Sequence, residues 1–595
     1  MERKYKNKKY STVQNAVSCI NNLIKMKNST KYLIFLLAGM ALTACKKSLE
    51  PNPDNNLTEE QILGNPAYTE GLLLNAYKDM PAVVSFDQDV ISDDAVSNDP
   101  SSVYRLMATG SWSAINNPIS KWNQAYKEIY YINTFLSEYN KVVWDSKNSV
   151  VNDLHKKRLT GESYGLRAWW EFQLLKYHAG ISSDGQMLGF VIVTKPLNIN
   201  DNWNLPRNTF AECVAQIVAD CDKAIANLPD TYADIAGNTN YNLAMGARWD
   251  NRMAGYAARA LKATVLLYAA SPAYNPNGDN TKWADAAKTA GELIKALGGT
   301  SALPATGLTW YTSLTGVNPE IIWSRAIVSS RALEMDNFPP SLLGSGETNP
   351  TQELVDAFPM KNGYPINNAL GLYNSANPYA NRDPRLASYI LYNGNSLGAK
   401  GVINTYIGAP KDGINVLTNS TRTGYYVKKF LLDNVSLTTP EVSQNHFNTY
   451  FRVTELFLDY AEAANEAYGP DADPNGYGFT ARNLISAIRK RAGITQPDAY
   501  LTTLTNTANF RGLIHNERRL ELCFEGQRFF DVRRWNDLSS FKSTLNAAFI
   551  TKTGNTFSYS YQQVEQRMYQ DYMIFGPIPY NEILKSNQLK QNKGW

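Results

Sequence analysis

Apolar residues recur at three- and four-residue spacing in segment after segment of this chain, a period that fits amphipathic helices packed side by side. Lys121–Asn140 places Trp122, Ala125, Tyr126, Ile129, Ile132 and Leu136 on one stripe. Arg158–His178 does the same with Leu166, Trp169, Trp170, Leu174 and Tyr177. Thr209–Leu228 follows, then Asn251–Ala270 with Ala257, Leu261, Val265 and Tyr268. A helix opened by Trp283 ends near Gly298-Gly299, and Thr449–Tyr468, Thr480–Ala492 and Asn509–Glu525 complete the set.

These helices come in pairs and carry Ala where neighbours must approach closely. Trp283, Ala286, Ala287 and Ala290 form a tetratricopeptide-like phrase, although long insertions break the regular period of about 34 residues. Residues 299–448 differ. They are rich in Gly, Pro, Asn, Ser and Tyr, with strand candidates at Glu320–Val328 and Thr423–Phe430. A structureless loop of that length is unusual inside a compact domain, so this is read as an irregular, partly β subdomain inserted in the scaffold. Residues 541–575 read as a second, smaller irregular patch. The fold class is mainly α: tetratricopeptide-like helix pairs in an α-α superhelix with a large loop-rich, partly β insertion.

Net charge needs dissecting. Residues 1–44 hold eight Lys/Arg and one acid, Glu2, a net of +7 within a whole-chain +4, which leaves −3 for residues 45–595. No basic nucleic-acid footprint remains. Lys27–Lys31 is cationic, and Tyr32–Ala44 (YLIFLLAGMALTA) is apolar but short for a membrane span. That order is a secretory signal, with Met1 or Met26 as the start. Leu42-Thr43-Ala44-Cys45 resembles a bacterial lipoprotein signal, with Cys45 the lipidation site and Lys46–Asn56 the opening of a polar tether. Acyl chains at about 0.8 kcal/mol per buried CH₂ anchor a protein without a transmembrane helix.

Four His, well separated, and five Cys without a CxxC pair argue against His-built metal sites and zinc ribbons. Cys213 and Cys221, eight apart on one helix, read as core residues. No P-loop, GxGxxG, HExxH, EF-hand or GxSxG phrase stands in a fitting context.

Several phrases now converge. Cys45–Pro51, Trp122…Tyr126…Ile129…Asn133…Leu136, Leu166-Arg167-Ala168-Trp169-Trp170, the segment Asn516–Trp535 (NERRLELCFEGQRFFDVRRW) and Gly576-Pro577-Ile578-Pro579…Gly594-Trp595 together resemble the SusD/RagB family of outer-membrane lipoproteins. The segment 516–535 is the most specific. The resemblance implies four tetratricopeptide-like helix pairs below a variable loop-rich face. It also implies capture of nutrients, mostly glycans, for a SusC-type TonB-dependent transporter. One departure is the acidic run found after the Cys in surface-exported relatives, reduced here to Glu50. The implied organisation is a signal peptide at 1–44, a lipidated N-terminus and tether at 45–57, and a helical region at 58–298. The ligand-face subdomain at 299–448 and a C-terminal helical region at 449–595 follow.

Glu517, Glu521 and Glu525 share a helix face, and paired carboxylates can hydrolyse glycosides. The structural reading weighs more: Arg518, Arg519, Arg528, Arg533 and Arg534 supply forked cations, so Glu517, Arg518, Glu521, Glu525, Arg528, Asp531 and Arg534 are expected to lock the scaffold. Binding is expected elsewhere, where rings can stack on sugar C–H faces and polar groups grip hydroxyls. One region is Phe86–Trp112, rich in Asp; its acids are solvated, grip a ligand or hold a structural calcium ion. The other is the insertion, with Trp310, Tyr311, Trp323, Arg325, Phe338, Tyr364, Tyr373 and Tyr379; for Trp323 the apolar strand context favours packing. The expected ligand residues are Trp112, Asp93, Asp94, Phe338, Tyr364 and Arg325. No catalytic residue, metal ligand or cofactor is expected beyond that calcium. The reading is a non-enzymatic, outward-facing glycan-binding lipoprotein; the alternatives are peptide capture on the same scaffold, a secreted glycoside hydrolase using acids of 86–112, and a helical scaffold without a small ligand.

Overall fold

The computed structural model describes residues 62–312 and 318–595; the leader, Cys45 and the tether lie outside them. The long helices are α1 (Pro66–Lys78), α2 (Trp122–Glu138), α3 (Ser149–His178), α4 (Phe210–Asn227), α5 (Gly255–Ala270), α6 (Asn280–Leu297), α7 (Val453–Tyr468), α8 (Ala481–Ala492), α9 (Thr507–Glu521) and the short α10 (Arg528–Arg534). Each packs on the next, α1 on α2 through α6 on α7, and α7 then takes α8 and α9. The stack therefore closes across the insertion, since α6 and α7 are neighbours in space but flank residues 299–448 in sequence. The structure is mainly helical, as the periodicity requires.

Local chemistry sets the helix ends. Asn148 accepts from the amides of Val150 and Val151 to start α3, and Thr209 with Glu212 forms a capping box on α4. Gly298 and Gly493 end α6 and α8 in the left-handed region. α3 begins nine residues before the predicted Arg158, and α9 stops at Glu521 rather than Glu525. The stripes bury as predicted: Ala125, Ile132, Leu166, Leu174, Leu261 and Val265 are fully enclosed. Each large aliphatic side chain among them contributes roughly 1.5–3 kcal/mol. Cys213 and Cys221 are buried thiols in this core.

The insertion is built from short paired elements. β1 (Ala95–Ser97) pairs antiparallel with β3 (Thr348–Pro350), and β2 (Ile321–Ser324) pairs with β4 (Thr449–Arg452) just ahead of α7. The predicted strand over 320–328 is interrupted, resuming at Val328–Ser330 against Gln444–His446. Two satellite cores lie under it, one around Trp310, Phe358, Tyr389, Tyr425 and Phe430, the other around Phe338, Leu391 and Leu431. Residues 541–575 are only partly irregular, because 544–566 are paired strands. They form a long hairpin, β5 (Thr544–Thr553) with β6 (Thr556–Gln566), whose Leu545, Ala547, Ala548 and Ile550 face inward. Pro66–Trp595 is one compact unit.

Candidate functional site

The loop after α1 and the insertion meet. Phe86 sits in the satellite core, 5.8 Å from the Phe524 ring in an edge contact, which fixes the turn into the short helix Asp87–Val90. The β1–β3 ladder continues the junction. Asn98 then ties the two segments, its amide donating to the carbonyls of Ser345, Gly346 and Asn419 at 2.9, 2.9 and 3.0 Å. Ser102 caps the next turn, Val103–Leu106. Across from it stands the helix Ala332–Asn337.

Between these segments is a cavity of about 230 Å³. Val83, Val84 and Leu333 give it an apolar wall; Ser85, Asp87, Ser102, Ser330, Asp336, Asn337 and Glu347 give it a polar one. His446 completes the lining, 3.2 Å from the Glu334 carboxylate. Burial, then the charge of Asp87, raises the Asp336 carboxyl. Burial, then Asp336 and Asp87, raises Glu347. Burial and the same Asp87 push the Tyr104 phenol up to about 12. A wall of carboxyls, hydroxyls and an amide beside aliphatic carbon can accept and donate to a ring of hydroxyl groups while covering a C–H face. Among the described residues no group of three His, Cys, Asp or Glu is placed to hold a metal ion.

The acids and arginines of 516–535 form a buried network. Glu517 meets Arg385 at 2.9 Å and Arg489 at 2.6 Å. Glu521 meets Arg491 at 2.7 Å and Arg385 at 3.3 Å. Glu525 meets Arg452 at 2.8 Å and Lys429 at 2.6 Å. Arg518 pairs with Asp531 at 2.8 Å, and Arg534 with Asp531 at 2.9 Å and Glu462 at 2.6 Å. The three glutamates do not pair with the arginines of their own segment. Their shared face looks into the insertion and α8, while Arg518, Arg519 and Arg528 point to other elements. Burial raises the Glu521 carboxyl, but Arg491, Arg452 and Arg385 outweigh it and hold it down to about 2.

The six expected ligand residues are elsewhere than the cavity wall. Trp112 is 3% exposed, its ring 4.7 Å from Trp595 and 5.8 Å from Phe529. The positive φ of Gly110 turns the chain so that the indole points inward, and Nε1 donates to Asn117 Oδ1 at 3.1 Å. Asp93 is clamped by Arg528 at 2.8 and 3.0 Å, and Asp94 by Arg519 at 2.7 Å, so neither is free to grip hydroxyls. Phe338 is 1% exposed in its satellite core. Tyr364 is half-buried against Tyr500, and Arg325 donates to the carbonyl of Tyr77. Trp323 is packed, stacked on Phe451. The two expected regions do converge, but through Phe86, Asp87, Ser102, Asp336 and Glu347.

Residues 319–595 match the SusD family, and residues 49–244 match a family described as starch-binding, associating with outer membrane. A SusD-like protein from Bacteroides fragilis NCTC 9343 superposes with a TM-score of 0.70 at 26% identity, covering 91% of this chain and 99% of that one. The chain belongs to the SusD/RagB family. A SusD-like carbohydrate binding protein of the same organism shares the fold, with a TM-score of 0.67 at 20% identity over 89% of this chain and 99% of that one. SusD-like protein P25 of Formosa agariphila is 27% identical over 288 residues. That match spans 45% of this chain and 46% of that relative.

This SusD/RagB chain also carries a hollow that residue-by-residue reading missed. Tyr126, Tyr130 and Trp203 line a groove of about 350 Å³ between α2 and residues 191–205. Trp203 is 61% exposed and its indole donates to the carbonyl of Asn198 at 2.9 Å. Its signal was a lone Trp in the polar run Asn198–Asn204 (NINDNWN).

Proposed function

We propose that this chain is a non-enzymatic, lipid-anchored outer-membrane protein that binds an extracellular glycan and delivers it to a SusC-like TonB-dependent transporter. The observation that carries the reading is the cavity at the junction of the α1–α2 loop and the insertion. There Asp87, Asp336 and Glu347 face aliphatic carbon and, among the described residues, are not consumed by ion pairs. Asp336 is the residue of choice, on a short helix that the insertion presents. Family membership supports carbohydrate as the ligand class and the outer membrane as the location. Cys45 supplies the anchor, and among the described residues no helix is long and apolar enough to cross a membrane. Binding without turnover is supported by the burial of Glu517, Glu521 and Glu525 in ion pairs. The raised carboxyls of Asp336 and Glu347 beside Asp87 sustain a second reading, a glycoside hydrolase using this cavity.

The test is a glycan screen of residues 46–595 followed by calorimetry with the glycan selected. Asp336→Ala is expected to weaken binding at least tenfold, about 1.4 kcal/mol, with the melting temperature unchanged. Unaltered affinity removes the cavity from the site, and release of reducing ends from the glycan replaces binding by hydrolysis.

A further inference from the structure

A second cavity, about 160 Å³, opens on the other side of the same loop. Pro81 and Gln88 line it, while Val83–Asp87 between them line the first. Its walls come from α2 (Gln124, with Lys121 just ahead), α3 (Trp169, Gln173, Lys176), β4 (Tyr450) and α7 (Glu455).

Among the described residues, its two lysines lack a carboxylate partner, as the buried Arg207, Arg382 and Arg533 do, but those arginines donate to backbone carbonyls. Buried Lys429 and the arginines of the network reach carboxylates. Lys176 has no carboxylate within ion-pair distance among the described residues; its Nζ lies 3.8 Å from the Phe530 ring centroid. Among the described residues, the Lys121 ammonium reaches only the amide oxygen of Gln124, at 3.4 Å. The acids facing them are engaged: Asp79 pairs with Lys127, and Glu455 accepts from Gln527 at 3.2 Å and lies 3.9 Å from Arg518. Burial pulls Lys176 down to about 8, against the pull of Glu455 and Asp531 and with the push of Arg518 and Arg533. Burial also lowers Lys121. Burial, then the neighbouring Asp459, lifts Glu455 to about 8. The cavity thus presents two lysines without a carboxylate partner and the amides of Gln88 and Gln173. That is a set of donors lacking an anion.

We propose that this cavity takes the carboxylate of an acidic sugar residue, held by Lys176 and Lys121 and flanked by Trp169 and Tyr450. The sugar half of the proposal rests on the carbohydrate reading above; the anion half rests on the unpaired lysines. The charge of the two ammonium groups selects the anion, and the volume admits one ring rather than a chain.

The experiment compares tetragalacturonate, its carboxyl-reduced tetragalactose and acetate by calorimetry on residues 46–595. Tetragalacturonate is expected to bind at least tenfold tighter than either. Lys176→Met, which keeps the aliphatic stem against Phe530, is expected to abolish that preference. The preference is also expected to fade above pH 8 as Lys176 deprotonates. Equal affinity for the acidic and reduced tetramers overturns the proposal, as does a preference that survives Lys176→Met; acetate binding as tightly as the tetramer overturns its sugar half. Should the variant not fold, selective ¹³C labelling of lysine in the unaltered protein reads the Lys176 titration directly. It is expected to move to higher pH with tetragalacturonate, and an unmoved titration overturns the assignment. Neutral-glycan binding that depends on Asp336 and ignores Lys176 leaves the carbohydrate reading standing whichever way this test falls.

Discussion

Replacing Trp112 with Ala removes a 3%-exposed indole from a cluster of Phe529, Tyr569 and Trp595. Three edge-on ring contacts go with it, each roughly 0.5–1.5 kcal/mol beyond area burial. So does the hydrogen bond to Asn117, about 1 kcal/mol net. The cavity is ringed by aromatic side chains that cannot collapse far, so the loss falls in the band of about 3–5 kcal/mol found for large aromatic truncations. Unfolding entropy scales with length, roughly 1 kcal/mol/K for a unit of this size, so the melting temperature should fall by about 3–5 °C. Calorimetric melting of residues 46–595 measures this, with glycan titration well below the melting temperature as the companion assay. The reasoning predicts a lower melting temperature with unchanged affinity. A variant that melts like the parent and has lost its glycan would refute it and place Trp112 in the site.

Other consequences follow from the network and the anchor. Burial would raise Glu521 and Glu462, but their arginines hold both down to about 2, below the usual carboxylate range. The sign is that of a depressed acid: the stability each contributes, about 3 kcal/mol by linkage, is complete above about pH 4.5. It is lost as pH falls from there through about 2. Urea titrations at pH 7, 4 and 3 should show it, and a flat profile would contradict it. Glu521→Gln leaves Arg491, Arg452 and Arg385 facing a neutral amide, and should cost a few kcal/mol with glycan affinity intact, read by the same titration at pH 7. Gly526→Ala should destabilise by about 1–3 kcal/mol, because φ is +69° there and the new Cβ would lie 2.5 Å from Gln88 Oε1. Cys45→Ala should move the protein from the membrane to the soluble fraction on ultracentrifugation; retention in cells lacking the partner transporter would reject the anchor.

How much the sequence discloses varies by element. The helical stripes were legible because the period is local: Trp122 to Leu136 form one face whatever lies opposite. The start of α3 was not, since 149–157 is mostly polar and only the Asn148 cap marks it. The β5–β6 hairpin was readable in part. Phe557, Tyr559 and Tyr561 alternate with Ser558 and Ser560, but the inner strand buries the adjacent Ala547 and Ala548, which breaks its phase. The site was least legible. A Trp beside Gly in a polar context looks exposed, yet Trp112 is roofed by Trp595 at the far end of the chain. Asp93 and Asp94 look free until α9 and α10 bring Arg519 and Arg528 to them. Local character could mark the two regions that meet at the cavity; which side chains stay unpaired there is decided by contacts hundreds of residues apart.

Hydrogen exchange with and without the screened glycan tests the central claim most directly, because it locates the ligand without any substitution. The account predicts slowed exchange at residues 83–90, 100–106 and 330–348, with the amides of α4, α5 and α6 unchanged. Protection confined to 191–205 around Trp203, or to the hairpin at 544–566, with the 83–106 and 330–348 segments unaltered, would contradict it.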